Sequence, residues 1–259
     1  MNHSANALLP RLVRFGVAVA VLALTWWAVS KGFRQGHVLP GPLQAASAFF
    51  GALASKAFWD HFFASALRVI LAMTTAWVMA FPLGILMGSH KKLDAWLAPL
   101  VFLTYPIPKI VLLPVVLLLF GLGDFSKVFL IALIVGYQVL VAVRDGVAGL
   151  NPKYVDSVRT LGCGPWLLFR HVFLPAALPY GFTALRLGTG TGIAVLFFVE
   201  SFATSRGLGY LIMDAWGRLH YGDMIVGILG MSLLGAALFE TIEVLEKTLC
   251  RWQGARRRT

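Results

Sequence analysis

Long apolar runs, separated by short clusters of charge, dominate this chain from end to end. The clearest extends from Val69 to Ser89 without one charged side chain. Crossing about 30 Å of hydrocarbon takes about 20 mostly apolar residues. Reading from charge to charge gives six candidate spans, at 12–30, 64–89, 95–120, 126–147, 177–203 and 223–247. The third contains Lys109, and the fifth contains Arg186 and Glu200. The runs are too long for strands and lack the period-two alternation of a membrane barrel. The pattern predicts an all-α integral membrane protein with about six transmembrane helices.

Charge orients these spans. Six crossings place both termini on one side, and with both inside, 13 of the 22 Lys and Arg residues fall in cytoplasmic segments. Lys91-Lys92 and Arg256–Arg258 give the sign most plainly, since short loops and tails rich in Lys and Arg stay inside. The expected organisation is a cytoplasmic tail over 1–10, one membrane domain over 11–252, and a basic cytoplasmic tail over 253–259. The segment 150–175 then lies in the cytoplasm.

Composition agrees. The chain is 59% hydrophobic and 13% charged, against about 45–50% and about 25% for soluble domains. The net charge of +11 is not gathered on one amphipathic segment, so no nucleic-acid partner is expected. Cys163 and Cys250 supply neither a metal-ligand set nor a disulfide framework and are expected as unpaired packing thiols. No metal site is expected. Arg11 and Arg14 precede the apolar run Phe15–Ser30, a layout shared by secretory signals and first membrane helices. The later spans favour a retained helix. Between Lys31 and Phe63, Leu43–Phe50 has helical spacing, and Phe58 and Trp59 suit a membrane interface. That segment reads either as an interfacial helix or as an ordered loop capping the outer mouth.

Asp156–Pro175, DSVRTLGCGPWLLFRHVFLP, is a polar island in this apolar chain. Asn151 and Pro152 have the N-cap and first-turn chemistry of a helix start, and Asp156 favours the positive helix end. Val155, Val158 and Leu161 share one face. Gly162 and Gly164 interrupt the helix. Pro165 opens a second short helix bearing Trp166 and Phe169, and Pro175 and Pro179 end it. Two short helices about a glycine hinge make a knob that fits a cleft on another protein, because displaying Trp166 and Phe169 without a partner is costly.

The layout resembles the "EAA" loop of permease subunits in ATP-driven (ABC-type) importers, E-A-A-x3-G-x9-I-x-L-P. Asp156, Ser157 and Val158 stand at the Glu-Ala-Ala positions, Val172 stands at Ile, and Gly162, Leu174 and Pro175 fall at the family spacing. A second patch, Tyr105-Pro106-Ile107-Pro108-Lys109 with Leu113-Pro114 and Phe120–Gly123, resembles the nitrate, sulfonate and taurine branch. So do the Leu39-Pro40 turn, Ser65–Arg68 and Gly207–Leu211. The resemblance covers roughly residues 38–252.

It implies the type I importer permease fold, with a cytoplasmic coupling helix, in the bacterial inner membrane. Implied partners are ATPase subunits, a periplasmic or lipid-anchored solute-binding protein, a second permease copy (the same or similar), and membrane lipid. The implied coupling residues are Asp156, Ser157, Val158, Gly162, Trp166, Val172, Leu174 and Pro175. No residue is expected to be catalytic. The sequence has no Gly-x4-Gly-Lys-Ser/Thr loop, so no cofactor is expected on this chain, and ATP and Mg belong on the partner ATPase.

Prolines at membrane depth free carbonyls that are tolerated beside protein or a watery cavity, and ionisable residues there usually face an interior. These rules nominate Tyr105, Pro106, Pro108, Lys109, Thr189, Thr191 and Glu200 for the solute pathway. Arg186 is expected either to attract an anion or to reach the membrane edge; pairing with Glu200 is weighed too, but the two are 14 residues apart, about 21 Å along a helix at 1.5 Å per residue, and cannot pair within one helix. Gly188-Thr189-Gly190-Thr191-Gly192 reads as a close helix contact or pathway wall. The expected solute is an anion such as nitrate, taurine or an alkyl sulfonate, with a vitamin or heteroaromatic precursor as the alternative. A channel or secondary transporter that needs no ATPase is the rival mechanism. An intramembrane enzyme is disfavoured because the six histidines scatter among termini and loops.

Overall fold

The computed structural model describes residues 5–32, 40–202 and 204–252. Leu39, Met1 to Ser4 and the basic tail with Arg256–Arg258 lie outside them. The described residues form helices and turns and contain no strand. In chain order the helices are α1 (Ala5–Gly32), α2 (Pro42–Ala52), α3 (Lys56–Ser89), α4 (Lys91–Thr104), α5 (Leu113–Phe120) and α6 (Asp124–Ala148). They continue as α7 (Pro152–Arg159), α8 (Pro165–Leu168), α9 (Leu174–Glu200), α10 (Leu208–Gly217) and α11 (Tyr221–Leu249).

Four stretches are long and apolar enough to cross a membrane: α3, α6, Pro165–Glu200 and α11. The pair α4 and Lys109–Phe120 makes a fifth, bent by 80°. The first expected span, 12–30, falls on α1, a helix of 28 residues.

The chain divides into two compact units. The first comprises residues 1–59 and 211–230. Here α2 starts with Pro42 in its first turn, and the Gly41 amide donates to Gln44 Oε1 at 3.3 Å. Of the segment expected as interface or loop, the described stretch 42–63 is thus helical on both sides of a short turn. Phe58, expected at a membrane interface, is buried edge-on to Phe49 at 5.8 Å. The Trp59 indole donates to the Leu53 carbonyl at 2.8 Å and closes the turn between α2 and α3.

The second unit, residues 60–210 and 231–259, is built on α3, α6 and α9. On α6, Ile131, Val135, Val139, Val143 and Val147 recur every four residues, and all are buried. This ridge meets glycines. A methyl group added at Gly84 would lie 2.9 Å from Val143, and one at Gly88 would lie 2.6 Å from the Arg144 carbonyl and 2.7 Å from Val147. On α9, Gly188 and Gly192 face Val135 in the same way. Lipid tails are as apolar as leucine, so membrane helices adhere by close contact rather than by leaving water. β-Branched side chains suit that contact, because a helix already fixes their rotamer.

A polar cluster closes the Glu200 end of this unit. Glu200 is 1% exposed. Its carboxylate accepts hydrogen bonds from Ser65 Oγ (2.7 Å), Arg68 Nη1 (2.7 Å) and the Gly209 amide (2.9 Å). Arg68 also binds Asp124 at 2.7 Å and the Arg206 carbonyl at 2.7 Å. The turn ahead of α10 rests on α3, with the Leu208 amide donating to Ser65 Oγ (2.7 Å) and the Gly207 amide to His61 Nδ1 (3.1 Å). His61, Ser65 and Arg68 are spaced four and three apart, so they share one helix face. Gly207 has φ +133°, and a methyl group there would sit 2.4 Å from the Glu200 carboxylate carbon.

Gly88→Ala forces a methyl onto a backbone carbonyl and is expected to destabilise by about 1–3 kcal/mol. Gly190→Ala, where nothing lies within 4 Å, is expected to hold or gain stability, by up to about 1 kcal/mol. Thermal unfolding in detergent, followed by tryptophan fluorescence, separates the two. Arg68→Met leaves a buried carboxylate unpaired and is expected to cost about 3–5 kcal/mol, with Arg68→Met/Glu200→Leu recovering much of it. Equal loss in the single and double variants would argue against a coupled pair.

Candidate functional site

Four of the prolines fall between Pro99 and Pro114, and the third expected span breaks among them. α4 ends at Thr104, a short 3-10 turn spans Lys109–Leu112, and α5 follows. A proline carries no amide hydrogen and fixes its own φ, so a run of them cannot continue an α-helical ladder. The break leaves carbonyls without helical partners, and Lys109 answers them. Its ammonium donates to the carbonyls of Thr104 (3.0 Å), Tyr105 (3.0 Å) and Ile107 (3.4 Å) and lies 4.0 Å from the centre of the Tyr137 ring. A cation at the negative end of α4 is favoured there. Lys109 thus fastens the bend, and its charge stays beside the adjoining cavity.

That cavity has a volume of about 310 Å³. Its polar lining is Tyr105, Lys109, Tyr137, Gln138 and Thr191, and the rest is aliphatic. Tyr137 hydroxyl pairs with Thr104 Oγ1 at 2.9 Å, and Gln138 Nε2 donates to Thr191 Oγ1 at 3.2 Å. None of the lining residues is acidic. Such a wall suits an anion or a neutral polar solute and disfavours a cation.

The structure splits the nominated pathway residues. Tyr105, Lys109 and Thr191 meet at the cavity; Pro106 and Pro108 form the break beside it without lining it. Thr189 faces the opposite way, buried, with its hydroxyl on the Leu185 carbonyl at 3.2 Å. Glu200 sits in the ion cluster at the end of α9, away from the cavity lining. Gly188 and Gly192 are helix contacts, as the close-packing reading expects. Arg186 pairs with Glu246 at 3.3 Å and Glu243 at 3.9 Å, so it has no pairing with Glu200. Tyr137, Gln138 and Lys127 were not singled out from sequence, and Ser65 and His61 figured only within a branch motif and among the scattered histidines. Lys127 could have been found, as a charge just inside the start of the fourth span.

At the opposite end of α9 lies the 150–175 segment. Asn151 Oδ1 accepts from the Lys153 amide at 3.0 Å and caps α7, with Pro152 at its first turn. Gly162 adopts φ +73°, and its amide donates to the Arg159 carbonyl at 2.9 Å. Asp156 and Ser157 are exposed, and Val158 is half-buried. Leu161 lies beyond the end of α7 and is exposed, so it does not share a buried helix face with Val155 and Val158. Trp166 is 68% exposed and stacks on Phe169 at 5.7 Å.

The expected end of the second short helix at Pro175 is corrected. α8 passes through a π-helical turn, Phe169–Phe173, directly into α9. Pro175 cannot donate into the preceding turn, and a wider turn gives its ring room, which accounts for the π segment there. Val172, Leu174 and Pro175 are therefore part of one helical rod, Pro165–Glu200.

The inner-membrane-component model of binding-protein-dependent transport systems matches residues 80–249. The chain is 30% identical to the taurine transport system permease protein of Escherichia coli (strain K12), covering 91% of this chain and 88% of that one. It is 28% identical to the nitrate import permease protein of Synechocystis sp., covering 92% and 89%. The fold is similar to the methionine ABC transporter MetNI in inward-facing form, with TM-score 0.61 and 16% identity over 73% of this chain and 94% of that one. It is also similar to a bacterial ABC transporter involved in alginate import, with TM-score 0.55 and 14% identity over 93% and 99%. This multi-pass membrane chain belongs to the binding-protein-dependent transport system inner membrane components, the permease subunits of ABC importers.

Proposed function

We propose that this chain forms the translocation pathway for a small oxyanion of the nitrate, taurine or alkyl sulfonate type. The observation that carries the reading is the continuous rod from Pro165 to Glu200. One of its ends displays Trp166, and Thr191 on the same rod lines the acid-free cavity. The 25 residue steps from Trp166 to Thr191 span about 37 Å at 1.5 Å per residue. A force applied at the exposed end is transmitted along a hydrogen-bonded helix to the cavity wall.

In this reading the termini and the 150–175 segment are cytoplasmic, and Asp156–Pro175 docks on ATPase subunits that hold ATP and Mg. Two permease copies, the same or similar, pair beside two ATPases, and a solute-binding protein delivers the anion from outside. ATP binding draws the ATPases together and moves the docked loops. The partner acts on transport only as far as it binds two permease states differently, and the glycine-seated contacts of α9 with α6 supply surfaces that can shift as units. A second reading, a heteroaromatic solute, is favoured by the Tyr105 and Tyr137 rings, whose centres are 6.4 Å apart. The ligand bound by the partner binding protein decides between them.

Gly162→Pro imposes a negative φ where the turn needs +73°. It is expected to abolish uptake in cells bearing the partner subunits while membrane levels, read by immunoblot, persist. Trp166→Ala is expected to weaken ATPase co-purification and uptake together. Undiminished uptake in both variants would remove the docking assignment. For the pathway, Thr191→Val leaves Gln138 without its partner and is expected to change the KM or the solute preference of uptake. Thr189→Val, away from the cavity, is expected to leave preference unchanged. Purified chain in liposomes without ATPase is expected to transport nothing; transport there would favour the ATPase-independent rival.

A further inference from the structure

We infer that the polar pocket at the Glu200 end of the second unit is a separate subsite for a singly charged oxyanion, held by Lys127 and Arg206. The pocket is open, has a volume of about 460 Å³, and is lined by Arg68, Asp124, Lys127, Thr204, Ser205 and Arg206 together with backbone of Leu122 and Gly123. It shares no lining residue with the cavity at Tyr105.

The charges there do not cancel. Arg68, Lys127 and Arg206 bring three positive charges; Asp124 and Glu200 bring two negative ones. Both carboxylates are already engaged. Glu200 is saturated by Ser65, Arg68 and the Gly209 amide, and Asp124 is turned onto Arg68. Lys127 is 1% exposed, yet among the described residues it has no carboxylate within ion-pair distance. Its ammonium donates to the carbonyls of Leu122 (2.7 Å) and Gly123 (3.0 Å). An ammonium has three donors, so one remains. A buried cation with no carboxylate at ion-pair distance is expensive, even with Asp124 and Glu200 acting on it from further off, and such residues mark ligand or ion pathways in membrane proteins.

Arg206 supplies the second arm. Its carbonyl is held by Arg68 Nη1 and its amide by Thr204 Oγ1 at 3.3 Å, so the backbone carrying its exposed side chain is fixed at the pocket rim. Guanidinium and ammonium together suit the planar or tetrahedral oxygens of nitrate or a sulfonate. One bound monoanion brings the group of charges to zero. The site rests on the reading above, that this end faces arriving solute. It would hold the anion after release from the binding protein and before entry to the Tyr105 cavity.

The test is calorimetric titration of the purified full chain with methanesulfonate, in dodecyl maltoside, which contributes no lipid phosphate. Saturable binding is expected, weakened at least about tenfold in Arg206→Gln and in Lys127→Gln, since a hydrogen bond to a charged group is worth about that factor or more. Lys127→Arg is expected to retain binding. Arg206 lies on an exposed turn, so its variant remains informative if Lys127→Gln does not fold. The inference is overturned if the wild-type chain shows no saturable binding, or if Arg206→Gln binds as tightly as wild type. Loss confined to Lys109→Gln would assign the signal to the other cavity and overturn it as well. So would absent methanesulfonate binding combined with weaker association of Arg206→Gln with the binding protein, which would assign the pocket to a protein contact. Binding is read without ATPase or uptake, so failure of the coupling variants leaves this result standing.

Discussion

The close approach of α6 to α3 and α9 is the constraint on which the second unit depends. In a hydrocarbon solvent, burying a leucine gains little over leaving it against lipid, so the helices are held by contact at van der Waals distance. Ile131, Val135, Val139, Val143 and Val147 form the ridge, and Gly84, Gly88, Gly188 and Gly192 leave it room. Everything with chemical character is positioned from this seam. Gln138 and Tyr137 project from α6 into the cavity, Thr191 meets them from α9, and Asp124 reaches Arg68 of α3 from the first turn of α6.

The same solvent dictates how polar groups are treated. No water is at hand for a freed carbonyl or a buried carboxylate, so each must be answered from within the protein. Lys109 answers the carbonyls released by the proline break, and Ser65, Arg68 and Gly209 answer Glu200. Both arrangements fasten non-helical backbone at the edge of a cavity. The glycines at 207 and 209 belong to the second arrangement, because a side chain at 207 would occupy the position of the Glu200 carboxylate and one at 209 would collide with Glu200 Cβ and the Phe197 carbonyl. Lys127 is the exception, a buried cation that donates to two carbonyls and has no carboxylate at ion-pair distance among the described residues, and it stands beside an open pocket.

The long rod from Pro165 to Glu200 changes how the loop at its base is understood. A pair of short helices about a hinge would absorb a push. A helix continued through a π turn transmits it, and the break in the helix stays at the Gly162 turn between α7 and α8, where the glycine hinge was expected. The prolines that end a helix in isolation are accommodated here by a wider turn rather than by a break. Exposed Trp166 and Leu161 at the tip are where an apolar partner surface gains most.

The sequence by itself determined the all-α membrane class, four spans close to those observed, the cap of α7 at Asn151 and the turn at Gly162. These rest on local physics: twenty apolar residues, a side chain reaching its own backbone, a dihedral that only glycine takes cheaply. The spacing of Asp156 to Pro175 was equally legible, since it lies within one stretch of chain. Partners distant in sequence were not legible. Nothing local tells that Arg68 meets Glu200, that Arg186 meets Glu246, or that Thr189 and Thr191 face opposite ways, because helix rotation is set by which glycine receives which valine. The tertiary structure alone decided those pairings, and with them which ionisable residues lock the fold and which stand beside a cavity.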